Sequence, residues 1–210
     1  RVDIQSNENT NPNAARLINQ EDRYFIFELS ENVERTEVTY KNRYGIELAA
    51  DLYTSTNLDE NQQYPAIVIG PPYGGVKEQG PGVYANELAK RGFVVLAFDP
   101  SYNGESGGEP RHLSSPEIFS EDFSAGVDFL GSLDYVDRNK IGALGICGSG
   151  GFALSAAAMD TRIKAVVTSA MYDISAMGNN MSSDERNSMI IGLSEQRWTD
   201  FENGMPAYAR

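Results

Sequence analysis

Short apolar runs alternate with segments of helical spacing through most of this chain. The apolar runs are YPAIVIG ending at Gly70, Phe93–Asp99, Ile141–Ile146 and Lys164–Asp173. The helical segments between them are Gly82–Phe93, Ser114–Leu133 and a run that starts near Gly150. Strands with no polar face are typical of a parallel sheet covered on both sides. The alternation therefore predicts an α/β fold with a mainly parallel, doubly wound sheet and helices on both faces.

Two earlier segments, Arg35–Asn42 and Ile46–Thr54, show period-two alternation and many β-branched residues. They predict a hairpin with a tight turn at Arg43–Gly45, which would form the antiparallel edge of the sheet. The predicted domain organisation has three parts. Residues 1–23 form a polar, Asn-rich arm, residues 24–174 form the α/β core, and residues 175–210 form a helical cap or lid segment.

The composition restricts the classes of partner. The chain has 210 residues, 40% of them hydrophobic, which is enough for a sizeable core. Its formal net charge of −13 argues against nucleic acid and anionic membranes as partners, and no apolar run is long enough to span a bilayer. We expect a soluble protein that acts on a small molecule, with the cytoplasm favoured over export. The sequence leaves the oligomeric state open.

The chain contains one cysteine and one histidine, which excludes an internal disulfide and any multi-cysteine or multi-histidine metal site. The cysteine, Cys147, lies in GICGSGG, where an apolar strand meets a helix. A nucleophile on such a sharp turn needs small residues two positions before and after it. Gly145 and Ser149 meet that requirement.

This arrangement resembles the α/β-hydrolase superfamily, and a cysteine at the nucleophile position resembles its dienelactone-hydrolase-like branch. Three other stretches fit the same pattern in the same order, namely Gly70–Arg111, Glu121–Gly145 and Arg162–Asp173. Together they extend the resemblance from Arg35 to Asp173. The turn departs from the usual G-x-S-x-G in two places, with Cys147 for serine and Ser149 for the second glycine.

The resemblance implies that Cys147 attacks a carbonyl group. The N–H groups at a helix N-terminus favour a thiolate there. An oxyanion hole would use the backbone N–H of Gly148 and a second donor from the loop GPPYGGV. Proline has no N–H, so the second donor is Tyr73 or, failing that, Gly74. Two alternatives stay open: Cys147 is an inert thiol, or Ser149 is the nucleophile.

Tyr73, Gly74, Tyr102 and Met171 are the expected substrate-binding residues. In this superfamily the acid and then the histidine follow the nucleophile in the chain. No histidine follows Cys147, and the chain's histidine, His112, precedes it on a loop. His112 is a candidate base, with a role in the loop as its alternative. Asp173, after the last predicted strand, is a candidate acid, with a turn or helix cap as its alternative.

Two functions follow from these features. One is a hydrolase of a small ester, lactone or thioester, without metal or organic cofactor, whose histidine and acid lie outside these 210 residues. Its fold would be incomplete at the C-terminus. The other is a non-catalytic binding protein with the same fold. A third function, redox sensing by Cys147, ranks last because the chain has no second cysteine to form a disulfide with the oxidised thiol. The intact mass of the expressed protein, set against 23.0 kDa for this chain, distinguishes the first two.

Overall fold

The structure, a computed structural model, describes residues 25–173, 176 and 180–208, so the predicted arm at 1–23 lies outside the described residues. The elements are β1 (Val33–Lys41), β2 (Glu47–Ser55), β3 (Tyr64–Gly70), α1 (Gly80–Ala89), β4 (Val94–Phe98), α2 (Pro116–Gly131), β5 (Val136–Ile146), α3 (Gly148–Met159), β6 (Ile163–Ser169) and α4 (Ser183–Asn203). They match the predicted alternation of strands and helices.

The six strands form one sheet in the order β1-β2-β4-β3-β5-β6. Strands β4, β3, β5 and β6 are parallel to one another, whereas β1 and β2 pair antiparallel at one edge. The predicted parallel sheet and its antiparallel hairpin are therefore confirmed. This topology brings the loops after β3, β4, β5 and β6 to one edge of the sheet, where ligands bind in open parallel sheets.

The core lies on both faces of the sheet. Helices α2 and α3 cover one face, where Phe119, Phe123 and Phe152 pack among the strand residues. Helix α1 covers the other face with Ala85 and Ala89. Strands β3 and β4 and the second half of β5 are apolar on both sides because helices cover both of their faces. No helix that the structure describes is long and apolar enough to cross a membrane.

Local signals explain where two of the helices begin. The Ser115 hydroxyl accepts a hydrogen bond from the Ile118 N–H, and Pro116 is the first residue of α2. Both features match the predicted start of this helix. Helix α4 begins with a capping box of Ser182 and Glu185 and ends at Gly204 with φ 69°. No residue of α4 is buried. Whether residues 175–210 form a cap stays a prediction.

Strand β5 begins at Val136, earlier than the predicted Ile141. The first part of the strand is polar and exposed, and its pairing with β3 shifts register between Tyr64 and Ala66. Such an irregular, solvent-facing segment has no apolar pattern, so hydrophobic periodicity does not find it. Strand β6 ends at Ser169, before the predicted Asp173, because Ala170 has φ 48° and turns the chain away.

Candidate active site

Cys147 lies between the end of β5 and the start of α3, with φ 53° and ψ −118°. A non-glycine residue in this region carries strain of about 1–3 kcal/mol, which the surrounding structure must hold in place. The Cys147 N–H donates to the Ser169 carbonyl oxygen over 2.9 Å. The Cys147 carbonyl oxygen accepts from the N–H groups of Gly150 and Tyr172, at 3.0 and 3.1 Å. Both sides of the residue are therefore fixed to neighbouring elements.

The turn around Cys147 leaves no room for a side chain at Gly145. A Cβ atom built there would lie 2.2 Å from the Ser149 carbonyl oxygen and 2.6 Å from the Gly150 Cα atom. Both contacts are with backbone, which cannot move aside without opening the turn. The predicted need for a very small residue at position 145 is confirmed.

Ser149, the alternative nucleophile, lies in the first turn of α3 and is buried. Its hydroxyl donates a hydrogen bond to the Pro71 carbonyl oxygen. This bond joins the start of α3 to the loop after β3, which carries the predicted oxyanion donors. The hydroxyl proton of Ser149 is directed at a backbone oxygen and not at a base.

The N–H groups predicted to form an oxyanion hole have no protein acceptor in the described part of the chain. Neither Tyr73 nor Gly74 donates its N–H to another described residue, although Gly75 in the same loop donates to the Pro72 carbonyl oxygen over 2.7 Å. Gly148 is the first residue of α3, and the first N–H groups of a helix lack an acceptor within the helix. Gly74 has φ 76°, which suits glycine.

The other predicted site residues are dispersed around this edge of the sheet. Tyr102 is buried in the core with φ 69°, and a Cβ atom at Gly108 would lie 2.6 Å from its ring. Met171 is half exposed and packs over Gly150, where a Cβ atom would lie 2.7 Å from its Cγ. Asp173 is exposed after β6. Tyr102 and Met171 are outside the cavity described next, and their roles stay predictions.

A cavity of about 170 Å³ lies between the loops after β3 and β4 and the start of α3. Tyr73, Gly74, His112 and Ser149 contribute to its wall. His112 is exposed at the cavity, and its ring centroid lies 6.5 Å from that of Tyr208, in the segment after α4. The structure thus brings the predicted base and the second oxyanion donor to one cavity, beside the helix that Cys147 caps.

A larger groove of about 720 Å³ lies on the outer surface of α2 and α3. It contains none of the predicted site residues. Four charged groups on its wall form two ion pairs, with 2.9 Å between Arg43 Nε and Glu121 Oε2 and 2.7 Å between Arg162 Nη2 and Asp160 Oδ2. We therefore place the candidate site at the smaller cavity.

Lys77 is the residue of this region that the sequence reasoning missed. Its side chain is fully buried, and its ammonium lies 2.8–2.9 Å from carboxylate oxygens of Glu78, Asp99 and Glu105. Burial alone would lower the pKa of Lys77, but Asp99, Glu105 and Glu78 outweigh it and raise that pKa above its usual range. These carboxylates come close enough together to bind a cation, and the Lys77 ammonium already supplies one.

Asp99 holds the loops after β3 and β4 together. Its carboxylate accepts hydrogen bonds from the backbone N–H groups of Lys77 at 2.8 Å and Glu105 at 2.9 Å. Gly104 packs directly on that carboxylate, and a Cβ atom there would lie 2.2 Å from Asp99 Oδ2. One sequence signal could have indicated this contact. It is a lysine in a glycine- and proline-rich loop, followed by an aspartate at the end of the next strand.

Asp122 fixes the start of the same loop from helix α2. Its carboxylate accepts hydrogen bonds from the Ser101 N–H and hydroxyl, both at 2.8 Å, and from Asn42 Nδ2 at 2.9 Å. Burial raises the pKa of Asp122 to about 6, although the bonds from Ser101 and Asn42 oppose that rise. The candidate site thus lies on loops anchored by buried charges.

Comparison with known proteins identifies the family. A sequence profile of the X-Pro dipeptidyl-peptidase (S15 family) matches residues 44–188, more than half of the chain. The chain belongs to this family. The uncharacterized protein PA2218 of Pseudomonas aeruginosa is 54% identical over 187 residues, or 87% of this chain and 50% of the relative. YcjY of Escherichia coli K12 is 43% identical over 175 residues, or 81% of this chain and 57% of the relative.

A third relative, thiohydrolase aneE of Aspergillus aculeatus, is 34% identical over 140 residues, or 66% of this chain and 42% of the relative. The chain spans about half the length of the curated relatives it matches. The crystal structure of PA2218 superposes with a TM-score of 0.87 at 51% identity, covering 92% of this chain and 62% of that chain.

The α/β hydrolase GrgF from Penicillium sp. sh18 superposes with a TM-score of 0.73 at 25% identity, covering 84% of this chain and 58% of that chain. A dienelactone hydrolase-like promiscuous phosphotriesterase from metagenomic libraries reaches a TM-score of 0.56 at 21% identity, covering 67% of this chain and 60% of that chain. The last likeness is one of fold alone. The predicted α/β-hydrolase fold and membership of that superfamily are confirmed.

Proposed function

We propose that this chain carries the nucleophile and the oxyanion hole of a hydrolase that cleaves a small ester, lactone or thioester. The observation that carries the proposal is the backbone of Cys147, held at φ 53° between β5 and α3. Strained conformations of this kind cluster at active sites, where they present a side chain in one orientation. The presence of a thiohydrolase among the relatives supports an acyl substrate.

In the proposed mechanism, Cys147 Sγ attacks the carbonyl carbon and a C–S bond forms. The carbonyl π electrons move to oxygen, and the N–H groups of Gly148 and Tyr73 stabilise the resulting oxyanion. As the carbonyl re-forms, the bond to the alcohol or thiol breaks, and that group leaves with a proton. Water then attacks the acyl-cysteine, which releases the acid and restores the thiol.

The proton transfers need a base. His112 lies at the cavity, but no described residue accepts a hydrogen bond from its ring to orient it. We assign the base to a histidine outside these 210 residues, with an acid to orient it, and keep His112 as the alternative. Comparing His112→Gln with the unaltered protein in the same assay decides between these two assignments.

Substituting the nucleophile tests the proposal directly. We expect Cys147→Ala to lower the hydrolysis of a short-chain thioester by on the order of 10³-fold or more, because the covalent route is lost. Met159→Ala, at an exposed position of α3, the helix that follows Cys147, is the control and should keep full activity. Equal turnover by Cys147→Ala and the unaltered protein, both folded by circular dichroism, would remove Cys147 from the mechanism.

The second candidate function is a non-catalytic binding protein. It is favoured by the single histidine, which precedes Cys147 in the chain. Alkylation of the thiol separates the two functions. A catalytic Cys147 reacts with iodoacetamide faster than a free small-molecule thiol at neutral pH, whereas an inert cysteine reacts only when the protein unfolds.

A further inference from the structure

The 170 Å³ cavity at the start of α3, whose wall includes Ser149 two residues after Cys147, has an apolar inner end and a more polar rim. Phe119 and Phe152 form the inner wall, with ring centroids 5.3 Å apart in an edge-to-face arrangement. Both rings are buried, whereas His112 and Leu113 at the other side of the cavity are exposed. A ligand would therefore enter past the loop after β4 and direct its apolar end toward the two phenylalanines.

The chemistry of the wall excludes a charged ligand group at the inner end. Among the described residues that line the cavity, none is an aspartate, glutamate, lysine or arginine. Ser149 has the polar side chain of the wall that is closest to Cys147 in the sequence. Its hydroxyl already donates its proton to the Pro71 carbonyl oxygen and is not free to donate it to a ligand. Burying a charged or strongly polar group without a partner is unfavourable. The inner end of the cavity therefore fits a neutral, apolar group, whereas Asn103, His112 and Ser114 make other parts of the wall polar.

The volume limits the size of that group. An apolar cavity of about 150 Å³ holds a benzene molecule. The cavity here, at about 170 Å³, fits a phenyl ring or an alkyl chain of similar volume. Until the cavity is full, each added methylene is expected to raise kcat/KM about threefold to fourfold.

The loop after β3 connects this cavity to the chemistry. Tyr73 and Gly74 line the cavity, and the N–H of Tyr73 or, failing that, of Gly74 is the predicted second donor to the oxyanion, beside that of Gly148. In the proposed mechanism these N–H groups bind the carbonyl oxygen while Cys147 attacks the carbonyl carbon, which leaves the cavity for a substituent of that carbon. We propose that the cavity binds the acyl side chain of the substrate, which is a thioester or ester of a benzoyl-sized or hexanoyl-sized apolar acid.

This inference rests on the proposed function, so its first test uses a reaction that needs the thiol but no base. N-benzyl-iodoacetamide and N-methyl-iodoacetamide both form a C–S bond to Cys147 and release iodide, and intact mass gives the two rates. We expect the benzyl reagent to react at least tenfold faster. Phe152→Trp and Leu113→Trp, which fill the inner end and the rim, should bring the ratio close to one. Leu154→Trp, at an exposed position of the same helix, should retain the preference.

The second test varies the acyl chain from two to ten carbons in thioesters of one thiol, and then varies the thiol for one acyl group. We expect kcat/KM to peak near six acyl carbons and to change little with the thiol. Equal alkylation rates for the two reagents, a ratio unchanged in both cavity variants, or a preference set by the thiol would overturn the acyl-pocket assignment. Failure of Cys147 to react with either reagent would instead overturn the proposed function.

Discussion

Cys147 adopts a backbone conformation that most side chains avoid. Glycine tolerates positive φ at little cost, whereas a Cβ atom there is strained. We expect Cys147→Gly to be more stable than Cys147→Ala by about 1 kcal/mol, although neither variant has a nucleophile. Urea unfolding of the two variants measures the difference. Greater stability of the alanine variant would show that the turn relaxes to negative φ in solution.

Asp122 gives the loop after β4 a dependence on pH. Its pKa of about 6 in the folded protein lies above the ordinary value of 3.8, so folding favours the protonated form. The stability that this proton contributes is complete below about pH 4 and is lost as the pH rises through 6. One pKa unit corresponds to about 1.4 kcal/mol, so the loss approaches about 3 kcal/mol.

Asp122→Asn removes this titration while keeping the size of the side chain. We expect the unaltered protein to lose more stability than the variant between pH 4 and pH 7. Urea unfolding at several pH values gives the difference between the two curves. Parallel curves would mean that Asp122 titrates near its ordinary value.

Lys77 joins the loop that precedes α1 to the loop that leads into α2. Replacing it with methionine leaves the buried Asp99 carboxylate without its ammonium partner, a change that costs about 3–5 kcal/mol. The matched control is Lys90→Met, since Lys90 pairs with Glu87 at the surface with 37% and 46% of the two side chains exposed. Exposed pairs of this kind contribute about 1 kcal/mol or less.

Thermal and urea unfolding of both variants measure these effects. A similar small loss in Lys77→Met and Lys90→Met would show that water reaches the Lys77 ammonium in solution. A large loss confined to Lys77→Met would confirm that the two loops depend on this cation.

The sequence predicted a structural feature wherever a single physical requirement determines which residue types can occupy a position. The buried strands are apolar on both faces, Ser115 and Pro116 specify the start of α2, and Gly145 has no room for a Cβ atom. The polar start of β5 and the Lys77 cluster gave no such pattern. A lysine in a loop usually faces solvent, and only the contact between its own loop and the loop after β4 buries this one.

The residues that the structure describes include one well-covered part and one open part. Strand β6 forms an edge of the sheet, and Val167 on it is exposed. Helix α4 buries none of its residues, and its apolar side chains Met189, Ile190, Ile191, Leu193 and Trp198 face solvent. A helix without buried residues is held by its own hydrogen bonds and not by packing.

Trp198 reports on this open part, because it is the single tryptophan of the chain and is 69% exposed. In dilute solution we expect the emission maximum of a hydrated indole and full access to acrylamide. Amide hydrogens of α4 should exchange faster than those of α3. A blue-shifted emission that does not change with protein concentration would contradict the exposed position of α4.

The bonds of Lys77 have a consequence for how this family diverges. Surface loops usually gain, lose and exchange residues independently of one another. Here the Lys77 ammonium, the Asp99 carboxylate and Gly104 form a single contact between two loops. We expect a change at one of these positions alone to weaken that contact, and a lineage that loses the lysine to replace the aspartate and free the glycine as well. The three positions should therefore be inherited as one unit, and their covariation across relatives would record it.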